Sequence, residues 1–179
     1  MMRLPPKLRS RLAKIKLFIC DVDGVLTDGA IYIGGSREVK RFNIHDGLGL
    51  VLLRRAGIKT AWVSSRPSPA TTMRARELKI NFLVQQKDQL SKTAAIEKIL
   101  LREKLHWEDV CFVGDDIVDL GPLEKAGVGV AVADAVEEAK NAADYITREA
   151  GGHGAVREIV EFILEAQDHW NSIVANYTE

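Results

Sequence analysis

Residues 17–29 read Leu-Phe-Ile-Cys-Asp-Val-Asp-Gly-Val-Leu-Thr-Asp-Gly. Four apolar residues end abruptly in two carboxylates, Asp21 and Asp23, with glycine next. A short apolar run bounded by a turn signal is consistent with a fully buried strand. On an extended chain, side chains two residues apart point the same way, so both acids leave the strand end on one side. A helix N-cap accounts for one acid at such a place and leaves the second unexplained.

The pattern recurs along the chain. Lys16–Cys20, Ile58–Val63, Asn81–Val84, Val110–Val113 and Val128–Val132 are short apolar runs. Between them lie amphipathic stretches at Gly47–Ala56, Ser68–Lys79, Ser91–Lys104, Asp116–Ala126 and Ala135–Ala143. In Ser91–Lys104 the helical rhythm is carried by Ala95 and Ile99, with Leu101 beside Arg102 one turn on. Strands alternating with helices of roughly 10–15 residues predict α/β units around a mostly parallel sheet. One piece breaks the alternation: Ala30–Ile33 and Glu38–Phe42 flank Gly34-Gly35-Ser36 as a β-hairpin. Two strands alone are marginal in water, so the hairpin must pack on its own domain or on a second subunit. A last amphipathic helix, Ala155–Ala166, follows Gly151-Gly152-His153-Gly154. With no internal repeat or linker, the expectation is one domain over 1–179, with a hairpin at about 30–42 and a tail at about 151–179.

Composition narrows the function. The 179 residues carry 25 Lys+Arg and 25 Asp+Glu, a formal net charge of zero. Nucleic-acid binding would call for a basic excess. Cys20 and Cys111 each sit in an apolar run and read as small buried hydrophobes, with no zinc or disulfide spacing. The apolar stretch at Leu17–Cys20 is too short for a signal sequence, and no run approaches the roughly 20 residues of a membrane span. The expectation is a soluble cytoplasmic protein without nucleic-acid or membrane partners.

In open α/β sheets, ligands bind beyond the carboxyl ends of the strands. Those ends present Asp21-Val22-Asp23-Gly24, then Ser64-Ser65-Arg66, then Gly114-Asp115-Asp116 with Asp119 beyond, and Lys92 opens a helix. Carboxylates crowded together raise one another's pKa, and a hard divalent cation relieves them. A few oxygen ligands completed by phosphate and water suit Mg²⁺. Taken singly, Asp116 and Asp119 read equally well as helix N-caps.

This combination resembles the haloacid dehalogenase superfamily. Asp21-Val22-Asp23-Gly24-Val25-Leu26-Thr27 matches its first motif, and Ser64, Lys92 and Gly114-Asp115-Asp116 match the second, third and fourth in order. Along the whole chain the sequence resembles the capless family of 3-deoxy-D-manno-octulosonate 8-phosphate (KDO 8-phosphate) phosphatases, through DVDGVLTDG, the hairpin with Asp46-Gly47, VGDD, VAVADA and AGGHGAVRE. The resemblance implies a three-layer Rossmann-like fold and hydrolysis of a sugar-acid phosphate through an aspartyl phosphate, as in lipopolysaccharide biosynthesis. It implies that Asp21 is the nucleophile and Asp23 the general acid and base. Mg²⁺ would be held by Asp21, the backbone carbonyl of Asp23 and Asp115. Ser64 and Lys92 would contact the phosphoryl group, and Asp116 and Asp119 would orient Lys92 or a metal-bound water.

For substrate binding, the resemblance points to Ser65, Arg66, Asp46, Gly47, His153 and Arg157. Asp46 reads equally as an N-cap. Family members carry arginine where this chain has His153; Arg157 is the cation that remains. The intervals from Asp23 to Ser64 and from Ser64 to Lys92 hold a hairpin, two helices and a strand, so no cap domain fits. A capless site needs walls. The resemblance implies a homotetramer in which apolar hairpin residues Ile31, Ile33, Val39 and Phe42 pack between subunits and the tail from Gly151 reaches an adjacent site. Two other readings are a phosphatase of a nine-carbon sialic-type acid 9-phosphate and an oligomerising module without turnover. Arg66 favours the first substrate, and the intact motif residues speak against the inactive module.

Overall fold

The computed structural model describes residues 5–34, 37–85 and 91–178. Its centre is a six-stranded parallel sheet of β1 (Leu17–Cys20), β4 (Lys59–Ser64), β5 (Phe82–Gln85), β6 (Val110–Gly114), β7 (Val128–Ala131) and β8 (Tyr145–Ile146), in the order β5-β4-β1-β6-β7-β8. β2 (Tyr32–Gly34) and β3 (Arg37–Val39) form a separate antiparallel pair. On one face α1 (Pro6–Leu12), α2 (Ile44–Arg55) and α3 (Pro69–Leu78) lie with α7 (Ala155–Ala166); on the other lie α4 (Lys92–Glu103), α5 (Leu120–Lys125) and α6 (Glu137–Ala142). A short α8 (Trp170–Ala175) packs on α7. Helices cover both faces of the sheet, which is why β1, β6 and β7 are buried at every residue.

The strand order reverses at β1. From it the chain steps to β4 and β5 on one side and returns to β6 on the other. The loops leaving β1 and β6 therefore diverge and open a crevice at the carboxyl edge. Asp21 and Asp23 follow β1, and Asp115 follows β6.

Two sequence-based expectations change. Leu101 is 83% exposed; the buried face of α4 is Ala95, Ile96, Ile99 and Leu100, a clean i, i+1, i+4, i+5 stripe. The segment after Gly151 is no detachable tail. Ala155, Val156, Ile159, Val160 and Ile163 are fully buried, and α7 packs on both α2 and α1. Its preceding glycines fold onto their own chain: the Gly152 amide donates to Val25 O (2.9 Å), and the Gly151 amide to Asp134 Oδ1 (2.8 Å). A Cβ on Gly151 would overlap the Gly24 carbonyl, so only glycine permits this approach. Of the hairpin turn expected at Gly34-Gly35-Ser36, Gly35 and Ser36 lie outside the described residues.

Three elements went unread in the sequence: α1, β8 and α8. α1 buries Leu8 and Leu12, and Arg11 forks onto Asp144 with two 2.6 Å contacts. β8 has two residues, too short for a pattern. Cys20 and Cys111 are buried and unpaired. Among the described residues no helix is long and apolar enough to cross a membrane.

Candidate active site

Three carboxylates meet at the carboxyl edge. Asp21, Asp115 and Asp119 offer oxygens within 4.8 Å of one another. One buried ammonium stands among them: Lys92 Nζ lies 2.9 Å from Asp21 Oδ2 and 2.6 Å from Asp119 Oδ1. The other oxygen of Asp119 accepts from the amides of Asp115 (3.0 Å) and Asp116 (3.4 Å). Asp119 is thus fully engaged and holds both Lys92 and the loop after β6. Asp116 is exposed and caps its own 3-10 turn, its Oδ1 accepting from the Ile117 amide (2.7 Å). Of the two acids expected around Lys92, only Asp119 orients it.

Burial pushes the Asp21 carboxyl up against the pull of Lys92, with the charge of Asp119 adding to the rise. Burial together with the charges of Asp21 and Asp119 lifts Asp115 to about 8. Burial alone would lower the Lys92 ammonium, but Asp21 and Asp119 outweigh it and hold it above its usual value. One lysine does not neutralise three acids. Asp21 Oδ1 and Asp115 Oδ1 are buried with no hydrogen-bond partner among the described residues. Two orphaned carboxylate oxygens in a low-dielectric pocket are a donor set for a hard cation. Gly24, at φ +90°, leaves the space that a Cβ would take from Asp115 Oδ2.

A second ionic cluster adjoins the first. Asp23 does not join Lys92; its Oδ1 lies 2.6 Å from Nζ of Lys40, just past β3. Lys40 also donates to Thr71 Oγ1 (3.3 Å) and lies 3.7 Å from Glu38 Oε1. Glu38 accepts from Ser68 Oγ (2.7 Å) and pairs with Arg66 Nη2 (2.5 Å). The Ser68 hydroxyl first, and then Lys40 and Arg66, hold the Glu38 carboxyl below its usual range despite partial burial. In the sequence Glu38 and Lys40 read only as part of the hairpin strand, with no role at the site. A signal existed: they sit at i and i+2 on β3 and its extension, so they share a face, while Val39 between them is 61% exposed.

The remaining expected residues divide. Ser64 is buried at the end of β4, its hydroxyl bonded within the chain to the Arg66 amide (3.0 Å) and carbonyl (3.1 Å), and Ser65 is exposed. Asp46 is 1% exposed, and its Oδ1 accepts from the Arg157 amide (2.7 Å) at the start of α7. It therefore caps a helix 111 residues away, while Asn43 caps α2. Gly47 is buried against Arg74 and Leu78. The second oxygen of Asp46, Oδ2, is buried with no hydrogen-bond partner among the described residues. Arg157 pairs with Glu161 (2.5 Å) and lies over Trp170 (5.3 Å). His153 lies on the rim: its Nδ1 faces Gly151 O (2.8 Å), and Nε2 faces Arg41 Nη2 (2.8 Å), which also holds Asp28 (2.9 Å). With the proton on Nδ1, both imidazole contacts are satisfied, and Arg41 becomes the arginine of this corner. Of the expected hairpin residues, Phe42 stacks on Trp62 within its own subunit (6.2 Å between centroids), whereas Ile31, Ile33 and Val39 are exposed.

A doubly wound parallel sheet, acids at the ends of β1 and β6, and a buried lysine between them define a hydrolase of the haloacid dehalogenase type. The sequence profile of haloacid dehalogenase-like hydrolases matches residues 79–159. The 3-deoxy-D-manno-octulosonate 8-phosphate phosphatase KdsC of Yersinia pestis is 42% identical over 159 residues, covering 88% of this chain and 84% of that protein. The Moraxella catarrhalis phosphatase of the same name, solved with magnesium ion, phosphate ion and KDO, matches with a TM-score of 0.92 at 35% identity, over 96% of this chain and 98% of that one. A probable yrbI family phosphatase of Pseudomonas syringae matches with a TM-score of 0.94 at 39% identity, over 98% and 99%. The chain belongs to the family of 3-deoxy-D-manno-octulosonate 8-phosphate phosphatases.

Proposed function

We propose that this protein is a Mg²⁺-dependent cytoplasmic phosphatase that hydrolyses KDO 8-phosphate to KDO and phosphate. The observation that carries the reading is the pair of orphaned, buried oxygens on Asp21 and Asp115 beside the Lys92–Asp119 pair. Asp21, Asp115 and the backbone carbonyl of Asp23 would hold Mg²⁺. When bound, the ion neutralises the acid cluster and the charge of the phosphoryl group. Asp21 attacks phosphorus and becomes an aspartyl phosphate as the ester P–O bond breaks. Asp23 gives its proton to the leaving alkoxide, then takes one from the water that hydrolyses the intermediate. Lys92, fixed by Asp119, offsets negative charge beside Asp21, where positioning and charge stabilisation do most of the work of phosphoryl transfer. Ser64 turns from Arg66 to donate to a phosphoryl oxygen. Arg66, whose Nη1 is buried without a partner among the described residues, and Ser65, Arg41 and His153 on the rim are the groups offered to the sugar acid.

We also assign a homotetramer. Ile33 is 76% exposed and Val39 61% on a ribbon of two strands, a surface that burial between subunits would stabilise. The eight-carbon acid is favoured over the nine-carbon one by the names of the relatives at 40–42% identity.

Phosphate release from a panel of sugar-acid phosphates, with Mg²⁺ and after exhaustive chelation, tests this. KDO 8-phosphate is expected to give the highest kcat/KM, and chelation to remove activity until Mg²⁺ is restored. A better nine-carbon substrate, or activity indifferent to chelation, overturns the assignment.

A further inference from the structure

We infer that Lys40 is a positioning residue for Asp23: it locks one carboxylate oxygen and leaves the other to serve the leaving group. The inference rests on the phosphatase reading above and goes beyond it. Asp23 stands on the loop after β1 with its side chain 25% exposed. A carboxylate on such a loop would be free to rotate about its side-chain torsions. Here Oδ1 is held by Lys40 Nζ at 2.6 Å, and Oδ2 is buried without a partner among the described residues. The ammonium is itself mounted at three points: Asp23, Thr71 Oγ1 on α3, and Glu38 on β3. Glu38 is tied in turn to Ser68 and Arg66.

The lysine side chain has 0% of its surface exposed. Its ammonium is spent on Asp23, Thr71 and Glu38, so it acts through Asp23. Proton transfer needs the carboxyl oxygen within about 2.6–3.2 Å of the leaving oxygen, and an error of about 1 Å costs on the order of a hundredfold in rate. With Oδ1 bound, Oδ2 is the oxygen that gives its proton as the ester bond breaks. No cation of the first cluster does this work, because Lys92 is spent on Asp21 and Asp119.

Lys40→Met, which keeps the apolar stem, tests the inference, with Lys40→Arg as the conservative variant and the substitute should the first not fold. With KDO 8-phosphate, Lys40→Met is expected to lower kcat by about ten- to a hundredfold while KM stays within about threefold. With p-nitrophenyl phosphate, whose leaving group needs little protonation, the pre-steady-state burst rate should fall by less than about fivefold. Lys40→Arg should recover part of kcat. In an Asp23→Asn background Lys40→Met should cost nothing further, because the two act as one unit. A crystal structure of Lys40→Met should find the Asp23 carboxylate in more than one rotamer. An unchanged kcat, a rise in KM alone, or fully additive losses in the double variant would overturn the inference. If the wild-type protein hydrolyses no phosphate ester, the phosphatase reading fails instead.

Discussion

Lys92 and Lys40 are both buried ammonium groups paired with acids from the loop after β1, yet they are mounted on very different supports. Lys92 opens α4, and its partners Asp21 and Asp119 follow strands in the middle of the sheet. Those strands are buried on both faces. Lys40 follows a two-stranded ribbon whose Tyr32, Ile33 and Val39 are all more than half exposed. The covalent chemistry is thus assigned to the rigid edge of the sheet, and proton transfer to a group fixed by the ribbon. Local stability follows buried contact, so the ribbon is the part that a neighbouring subunit can stiffen.

The sharpest contrast lies between Asp21 and Asp23. Asp21→Asn removes the proposed nucleophile and a proposed metal ligand together and is expected to lower kcat by at least about 10⁴-fold. Asp23→Asn removes only the proposed acid and base and should cost about 10²–10⁴-fold while Mg²⁺ and orthophosphate still bind. Single-turnover assays and calorimetric titration of both variants separate the two, and near-normal turnover in Asp23→Asn would remove its assigned role.

For the rigid side, Lys92→Met leaves Asp21 and Asp119 buried without their cation. Breaking a buried pair in this way costs about 3–5 kcal/mol. Urea unfolding at pH 7 without metal should register that loss; a change below about 1 kcal/mol would place the pair among weak surface contacts.

The same edge predicts a pH dependence. Asp115, lifted to about 8, and Asp21, also raised, hold protons in the folded state that the unfolded chain has released. Their contribution is therefore complete below the usual carboxylate range and is lost as pH rises through the folded values. Without metal, stability should fall from about pH 4 to pH 8 and level off beyond. Saturating Mg²⁺ should flatten that fall by binding the ionised acids. A scan of thermal unfolding against pH, with Mg²⁺ and with chelator, measures both.

On the ribbon side, Ile33→Ser with Val39→Ser should leave the monomer fold intact and shift sedimentation toward smaller species, with turnover falling as the proposed tetramer is lost. Full activity from a monomer would separate hairpin burial from catalysis. The smallest effect belongs to Asp46. Burial raises its carboxyl against the amides of Arg157 and Gly154. Asp46→Asn keeps an acceptor for Arg157 N without the buried charge and should be neutral or slightly stabilising at pH 7. Asp46→Ala removes the α7 cap and should cost about 1–2 kcal/mol.

Much of this was legible in the chain because it is local. An apolar run followed at once by Asp21 and Asp23, or by Gly114-Asp115, places acids at strand ends whatever the rest of the molecule does. Alternating runs required a parallel sheet, and the short intervals from Asp23 to Ser64 and Lys92 left no space for a cap domain. The sequence by itself therefore determined the fold class and the acid cluster. Only the tertiary structure decided which acid met which cation. Asp119 takes Lys92 while Asp116 turns to its own helix; Asp23 goes to Lys40 rather than to Lys92; Asp46 spends one carboxylate oxygen on a helix 111 residues away. Each of these pairs joins separate elements, and the choice depends on how hairpin, α2 and α7 fold back onto the sheet. A charged residue's type and spacing carry its chemistry, but its partner is set by burial and distance, which exist only once the chain has packed.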